Sequence, residues 1–248
     1  YAPSVFTSDD RVGQLQSIAP QLHELFEAYA EEENIPGIAY GVVVDNQLVI
    51  DSALGVINRE QQIPARTSSV FRIASMTKSF TAMGIMKLVE EGKIGLQDPA
   101  AHYIPEMADI PYPTSDSAPI TVENLLTMTA GFPEDNPWGD RQLDEPVAML
   151  QQLMLDGPSF SNPPSLTYEY SNTGYALLGL IISNVSGIPY QEYISVNILM
   201  PLGMTSTYWE FEEVPGEKLA IGYAPDSLTI APMLHDGSYG AMGGLMTS

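Results

Sequence analysis

Cysteine is missing altogether from the 248 residues, which excludes a thiol nucleophile, a zinc–thiolate centre and a disulfide framework. Basic residues are scarce: nine Lys and Arg stand against 31 Asp and Glu, a formal net charge of −22. Such a balance repels phosphate backbones and anionic lipid head groups, so no nucleic acid partner is expected. The acidity itself reads as a solvating charge of the kind a saline or extracellular setting favours. No run of 18 or more apolar residues occurs, which leaves no transmembrane candidate. Histidine is limited to His23, His102 and His235, far apart and in no H-x-x-x-H pattern, which argues against a metal hydrolase. His23 reads as a surface residue, and His102 and His235 as loop residues. The opening YAPSVFTSDD has neither an initiator Met nor a signal-type apolar segment, which fits a processed mature chain or a trimmed one.

What is present is a globular composition, 44% apolar and 16% charged, at a length suited to one large domain or two lobes. RVGQLQSIAPQLHELFEAYAEEEN, with Leu15, Ile18, Leu22, Leu25, Phe26 and Tyr29 at spacings of three and four, predicts one amphipathic helix ended by Asn34 and Pro36. GIAYGVVVDNQLVIDSALGVIN predicts a hairpin turning at Asp45-Asn46. FRIASMTKSFTAMGIMKLVEEGKIGLQDP predicts a helix buried on nearly every side from Met76 to Val89, stopped by Gly92. A Pro-, Asp- and Ser-rich loop follows to about Pro119. Then come a short helix capped by Thr121, the turn-rich FPEDNPWGD, and a helix near 145–155. YEYSNTGYALLGLIISNVSG predicts an extended Tyr168–Tyr170 entering a helix capped by Ser171 or Asn172 and ended by Gly187, with Pro189 opening the next helix to about Leu199. YWEFEE and EKLAIGYAP read as short strands or extended arms. Of their aromatics, Tyr208, Trp209 and Phe211 suit a core or lobe interface better than a cleft. GSYGAMGGLMTS reads as a plain loop, since no Lys-Ser/Thr follows its glycines to make a phosphate cradle. Met83, Met86 and Met149 read as core filling. The order predicts a sheet lobe interrupted by a helical lobe, with the chemistry where the two meet.

In a chain this poor in lysine, FRIASMTKSF places Lys78 three residues after Ser75 in an apolar run. A helix beginning near Ser75 brings both to one face. The positive end of the helix dipole and burial among Phe71, Ile73, Met76 and Phe80 both disfavour an ammonium at Lys78. A neutral amine there can take the proton of Ser75, the activation a hydroxyl nucleophile needs. S-x-x-K is a short pattern whose plain alternative is a helix cap beside a solvated lysine. The apolar surroundings argue for use, because a lysine is not buried without a function or a partner. A second element, YSN at Tyr170–Asn172, points a phenol and an amide the same way if the segment is extended. Tyr170 can relay a proton to a leaving group, and Asn172 can hold a substrate amide or carbonyl.

With SMTK at Ser75–Lys78 and YSN at Tyr170–Asn172, the chain resembles the serine β-lactamase and penicillin-binding protein superfamily, in its class C-like branch with D-aminopeptidases and family VIII esterases. PGIAYGVVVDNQLVIDSALG is similar to that family's first strands and LLTMTAGF to the end of an early helix. YALLGLIISNVSGIPYQEYISVNILMPLGMTST is similar to its helix pair and AMGGLMTS to its Gly-rich stretch, so the likeness runs from about Leu15 onward. Met128 and Ala130 stand where the family's H-T-S-G turn has His and Ser, a change expected to affect packing. No counterpart of the third motif, K-T-G or H-x-G, is found. In relatives that strand supplies one donor of the oxyanion hole, worth ~10²- to 10³-fold in rate.

The resemblance implies an α+β fold of β-lactamase/transpeptidase type, an antiparallel sheet flanked by helices plus an all-helical lobe. The sheet-containing lobe is expected over 1–97 and 206–248, with its C-terminal strands lacking, and the helical lobe over 98–205. A C-terminal remainder, cut away or present as a separate chain, follows from the missing motif. Implied activity is that of a serine hydrolase forming an acyl-enzyme on Ser75, with Lys78 as base, Tyr170 as proton relay and Asn172 as substrate ligand. No cofactor or metal is required. The implied substrates are a β-lactam, a D-amino-acid peptide or a short acyl ester, and the implied location is periplasmic or secreted. The competing expectation is an inactive module of the same fold that binds a cell-wall peptide or a protein partner.

Overall fold

Two positive-φ residues, Asp45 (φ 49°) and Asn46 (φ 62°), close the hairpin that the sequence predicts, since a tight two-residue turn between twisted strands needs the left-handed region at both positions. In the computed structural model, which describes residues 10–136, 138–224 and 229–248, the strands β1 (Gly37–Val44) and β2 (Gln47–Asn58) flank this turn antiparallel, with a bulge between Val42 and Val43. A two-residue strand β3 (Ile63–Pro64) adds to β2. The expectations that touch the opening nine residues, Pro137 and Pro225 lie, at those positions, outside the described residues.

The helix predicted over 11–34 is two helices, α1 (Arg11–Ser17) and α2 (Ala19–Glu32). Pro20 explains the break, because proline has no N–H for the carbonyl four residues back and its ring collides with that turn. Asn34 then takes φ 56° and ends the run. His23 is partly buried rather than on the surface, its Nδ1 3.0 Å from Tyr40 Oη, while Phe26 stacks on Tyr40. These elements form one compact unit, the described residues up to Phe71 with Val214–Met233 and Ser248.

The second unit is Arg72–Glu213 with Leu234–Thr247. Its helices are α3 (Thr77–Glu90), α4 (Val122–Leu126), α5 (Val147–Asp156), α6 (Asn172–Ser186), α7 (Tyr190–Ile194) and α8 (Gly240–Gly243). A π-helical turn, Ser195–Leu199, extends α7 to the predicted end. Strands β4 (Thr207–Tyr208) and β5 (Met246–Thr247) pair antiparallel. Helix α6 is the spine: residues Asn172 to Ile182 are all buried, as an apolar run of that length requires. Ser171 caps it by accepting from the N–H of Gly174, and Gly187 ends it at φ 77°. Thr121 and Asn124 cap α4 reciprocally.

Four expectations change here. Helix α3 is not buried all round: Ile85 and Leu88 are fully buried, but Met83 and Met86 are 39% and 47% exposed, as is Met76 (63%) just before it, so the core packs one face only. Met149 alone of the three named methionines packs against the core. The supposed Gly-rich loop contains buried α8, because missing side chains let its backbone approach neighbours closely; a Cβ on Gly179 of α6 would lie 2.6 Å from Ala241 Cβ. Of YWEFEE only Tyr208 is strand, following Thr207 in β4, and Phe211–Glu213 is a 3-10 turn. Trp209 is in the core, donating Nε1–H to Ser195 Oγ at 3.1 Å. Among the described residues no helix is long and apolar enough to cross a membrane.

Candidate active site

Ser75 lies in a 3-10 turn, Ala74–Met76, that leads into α3. Two bonds pin this entrance to the Gly-rich segment: Ile73 N–H donates to the Leu245 carbonyl at 3.0 Å, and Leu245 N–H donates to Thr77 Oγ1 at 3.2 Å. Ala74 is held at φ 46°, a conformation that costs a residue with a Cβ on the order of 1 kcal/mol or more and persists only where its surroundings enforce it. The result is an exposed hydroxyl at the mouth of a buried helix turn.

Lys78, the second residue of α3, is 6% exposed. Its Nζ has three oxygen neighbours: Ser75 Oγ at 3.1 Å, Asn172 Oδ1 at 2.8 Å and the Met242 carbonyl at 2.9 Å. Tyr170 Oη is 2.6 Å from Ser75 Oγ, and its ring centre is 4.9 Å from the lysine nitrogen. All four residues singled out from the sequence therefore meet, the other three around the Lys78 amine. They do so within the second unit alone.

Burial pulls the proton affinity of Lys78 down to about 8, against the opposing pull of Asp140 and Asp135. The Tyr170 phenol is pushed up, chiefly by burial, so it is protonated at neutral pH. The oxygen set tells the lysine which way to point. Two neighbours, an amide oxygen and a carbonyl, accept but cannot donate; only the hydroxyl can do both. An ammonium gives one hydrogen to each of the three. When it loses one, the two remaining hydrogens stay on Asn172 and Met242, and the lone pair faces Ser75.

Asn172 is completely buried. Beyond its Oδ1 bond to Lys78, its Nδ2 donates to Asn136 Oδ1 at 2.7 Å and its backbone N–H to Asp135 Oδ1 at 2.7 Å. Gly139 lies against it so closely that a Cβ there would come 2.7 Å from Asn172 Cβ.

The sequence model of the family described as Beta-lactamase matches residues 22–248. The chain belongs to the beta-lactamase family. It is 30% identical over 204 residues to Protein flp of Staphylococcus aureus (strain N315), covering 82% of this chain and 41% of that protein. It is 30% identical over 219 residues to Penicillin-binding protein 4* of Bacillus subtilis (strain 168), covering 85% of this chain and 47% of that protein. Among solved structures it superposes on the octameric penicillin-binding protein homologue from Pyrococcus abyssi with a TM-score of 0.76 at 33% identity, covering 92% of this chain and 53% of that one. The chain thus spans about half the length, or less, of these relatives. Its α+β architecture is the β-lactamase/transpeptidase type expected from SMTK and YSN.

For this member of the beta-lactamase family, sequence reasoning missed Asp135, Asn136 and Gly139, which stood in a stretch read only as turns, and the Met242 carbonyl, which stood in a stretch read as loop. A backbone carbonyl leaves no mark in sequence. The remaining two histidines behave differently: His102 is exposed, whereas the fold brings His235 Nδ1 to 3.0 Å from Glu210 Oε2, with Glu212 beside it. That trio is the one cluster of possible metal ligands among the described residues, and it is largely exposed.

Proposed function

We propose that this chain is a serine hydrolase that acts through a covalent acyl-enzyme on Ser75. The observation that carries the reading is Ser75 Oγ lying 2.6 Å from Tyr170 Oη and 3.1 Å from a lysine nitrogen whose other two contacts can only accept. Neutral Lys78 takes the hydroxyl proton as Ser75 Oγ attacks the acyl carbon. The carbonyl π bond opens to an oxyanion, for which the Ser75 backbone N–H is one donor. As the intermediate collapses, the bond to the leaving atom breaks and Tyr170 gives that atom its phenolic proton; the ammonium of Lys78 then returns a proton to the phenolate. Water cleaves the acyl-enzyme by the same steps in reverse order. Asn172 enters through the lysine it orients, and because Nδ2 spends only one of its two hydrogens on Asn136, the second is the one it would offer a substrate carbonyl.

The substrate class is an activated acyl compound: an ester, a D-amino-acid peptide or a β-lactam. The names of the relatives, penicillin-binding protein among them, support that range without choosing within it. A periplasmic or secreted location suits such substrates. Intact mass recorded before and after a fluorophosphonate or penicillin, with Ser75→Ala in parallel, tests the reading. A one-to-one adduct lost in the variant is expected. Binding of the same compound without any adduct would instead favour a non-catalytic module recognising a cell-wall peptide or a protein partner.

A further inference from the structure

Asp135 directs its whole carboxylate at one target. Oδ1 accepts from the backbone N–H of Asn172 at 2.7 Å, and Oδ2 accepts from both the backbone N–H and the hydroxyl of Thr173 at 2.8 Å. These are the first two residues of α6, whose N–H groups have no partner inside the helix. Ordinary capping is already supplied by Ser171, which serves the N–H of Gly174. What Asp135 adds is a second anchor, on the residue whose amide meets the lysine. Asn172 is thereby fixed at its backbone by Asp135, at Nδ2 by Asn136 and at Oδ1 by Lys78, with Gly139 closing the remaining side.

We infer that Asp135 is a positioning residue of the hydrolytic site, setting through the first turn of α6 the place at which Asn172 Oδ1 receives Lys78. The inference rests on the reading of Ser75 as nucleophile. Asp135 touches neither the hydroxyl nor the lysine, so its effect passes through Asn172. It also acts on Lys78 by charge. Besides the three oxygens hydrogen-bonded to it, the groups that act on the lysine are Asp140 and Asp135, which favour its ammonium, together with the rings of Tyr170 and Tyr175. Tyr239, whose hydroxyl is 3.3 Å from Thr173 Oγ1, lies on the far side of the same cluster and is protonated throughout the working range.

The test uses the full chain and an activated ester, with kcat and KM measured from pH 5 to 10 for the parent, Asp135→Asn and Asp135→Glu, and Ser75 labelling by a fluorophosphonate followed alongside. Misplacement of a catalytic group by about 1 Å costs ~10²-fold. Asp135→Asn is therefore expected to lower kcat tenfold or more with KM nearly unchanged, and to move the rise of the profile to lower pH, because removing a negative charge weakens the ammonium. Asp135→Glu keeps the charge but displaces it, so kcat falls while the rise stays in place. If Asp135→Asn does not fold, the second variant decides: an unchanged kcat overturns the inference. Equally, Asp135→Asn with the parent's kcat and profile, and only a lower melting temperature, would reduce Asp135 to a structural cap. A parent chain without a Ser75-dependent adduct would instead sink the reading beneath the inference, so the two failures are separable.

Discussion

Met242 turns its carbonyl oxygen to within 2.9 Å of Lys78 Nζ, and a carbonyl can accept a hydrogen but never supply one. With Asn172 Oδ1 acting the same way at 2.8 Å, the one hydrogen-bonded neighbour among the described residues from which the lysine can take a proton is Ser75. On the proposed mechanism, this arrangement gives the proton transfer its direction before any substrate arrives.

The pH dependence follows from the lysine. With its proton affinity near 8, roughly a tenth of the molecules carry the neutral amine at pH 7. Acylation of an activated ester should climb close to tenfold per unit below about pH 8 and level above it. Lys78→Arg keeps the charge but cannot lose its proton. It should drop the rate by ~10²- to 10⁴-fold and abolish the rise. A flat profile in the parent chain would count against the lysine as base.

Tyr170→Phe separates the two halves of the reaction. Without the phenol, Ser75 can still be deprotonated, but a poor leaving group goes unprotonated. We expect a loss of ~10²-fold or more on an anilide and a much smaller one on a p-nitrophenyl ester, read as a ratio of kcat/KM values. Equal losses on both would place Tyr170 in activation rather than departure.

Gly139→Ala should disturb the site by pressing on Asn172. The added Cβ would come 2.7 Å from Asn172 Cβ and 2.8 Å from its Nδ2, and such overpacking costs typically about 1–3 kcal/mol. A fall in melting temperature together with slower Ser75 labelling is the expected pair of results. Unchanged labelling at lowered stability would mean that Asn172 tolerates the push.

Asp236 governs stability against pH. Its Oδ2 accepts from Tyr190 and Gln191, both at 2.6 Å, while Oδ1 is wedged against Gly240 and Gly244 without a partner, and burial raises the carboxyl from 3.8 to about 7. The folded chain therefore holds this proton where the unfolded chain has lost it, so folded stability falls as pH rises from about 4 to about 7 and is constant above. The span corresponds to on the order of 4 kcal/mol. Asp236→Asn, which cannot ionise, should raise the melting temperature at pH 8 and do little or nothing of the kind at pH 4. A uniform change at both would show that the carboxyl ionises freely in the folded chain.

Local chemistry made most elements readable. Asp45-Asn46, Thr121, Ser171, Gly187 and Pro189 each announce a turn or cap by what their own side chain or backbone can do, and each does so. Tertiary effects were harder to see. Pro20 had to outweigh a continuous apolar stripe to split α1 from α2, and the exposed Met83 and Met86 of α3 look no different in sequence from buried methionines. In the site, Ser75, Lys78, Tyr170 and Asn172 were legible because SMTK and YSN mark them. Asp135 and Asn136 were not, because a carboxylate and an amide in a turn usually serve the turn.

The bonds that fix Lys78 span very different lengths of chain: three residues to Ser75, 94 to Asn172 and 164 to Met242. Only the first can exist before the molecule has closed its longest loops, and such closures are what slow folding most. While the chain is being made, the serine and lysine already share a helix turn, yet nothing aims the amine. Under the function proposed above, activation of Ser75 would therefore wait until the fold has closed around α8.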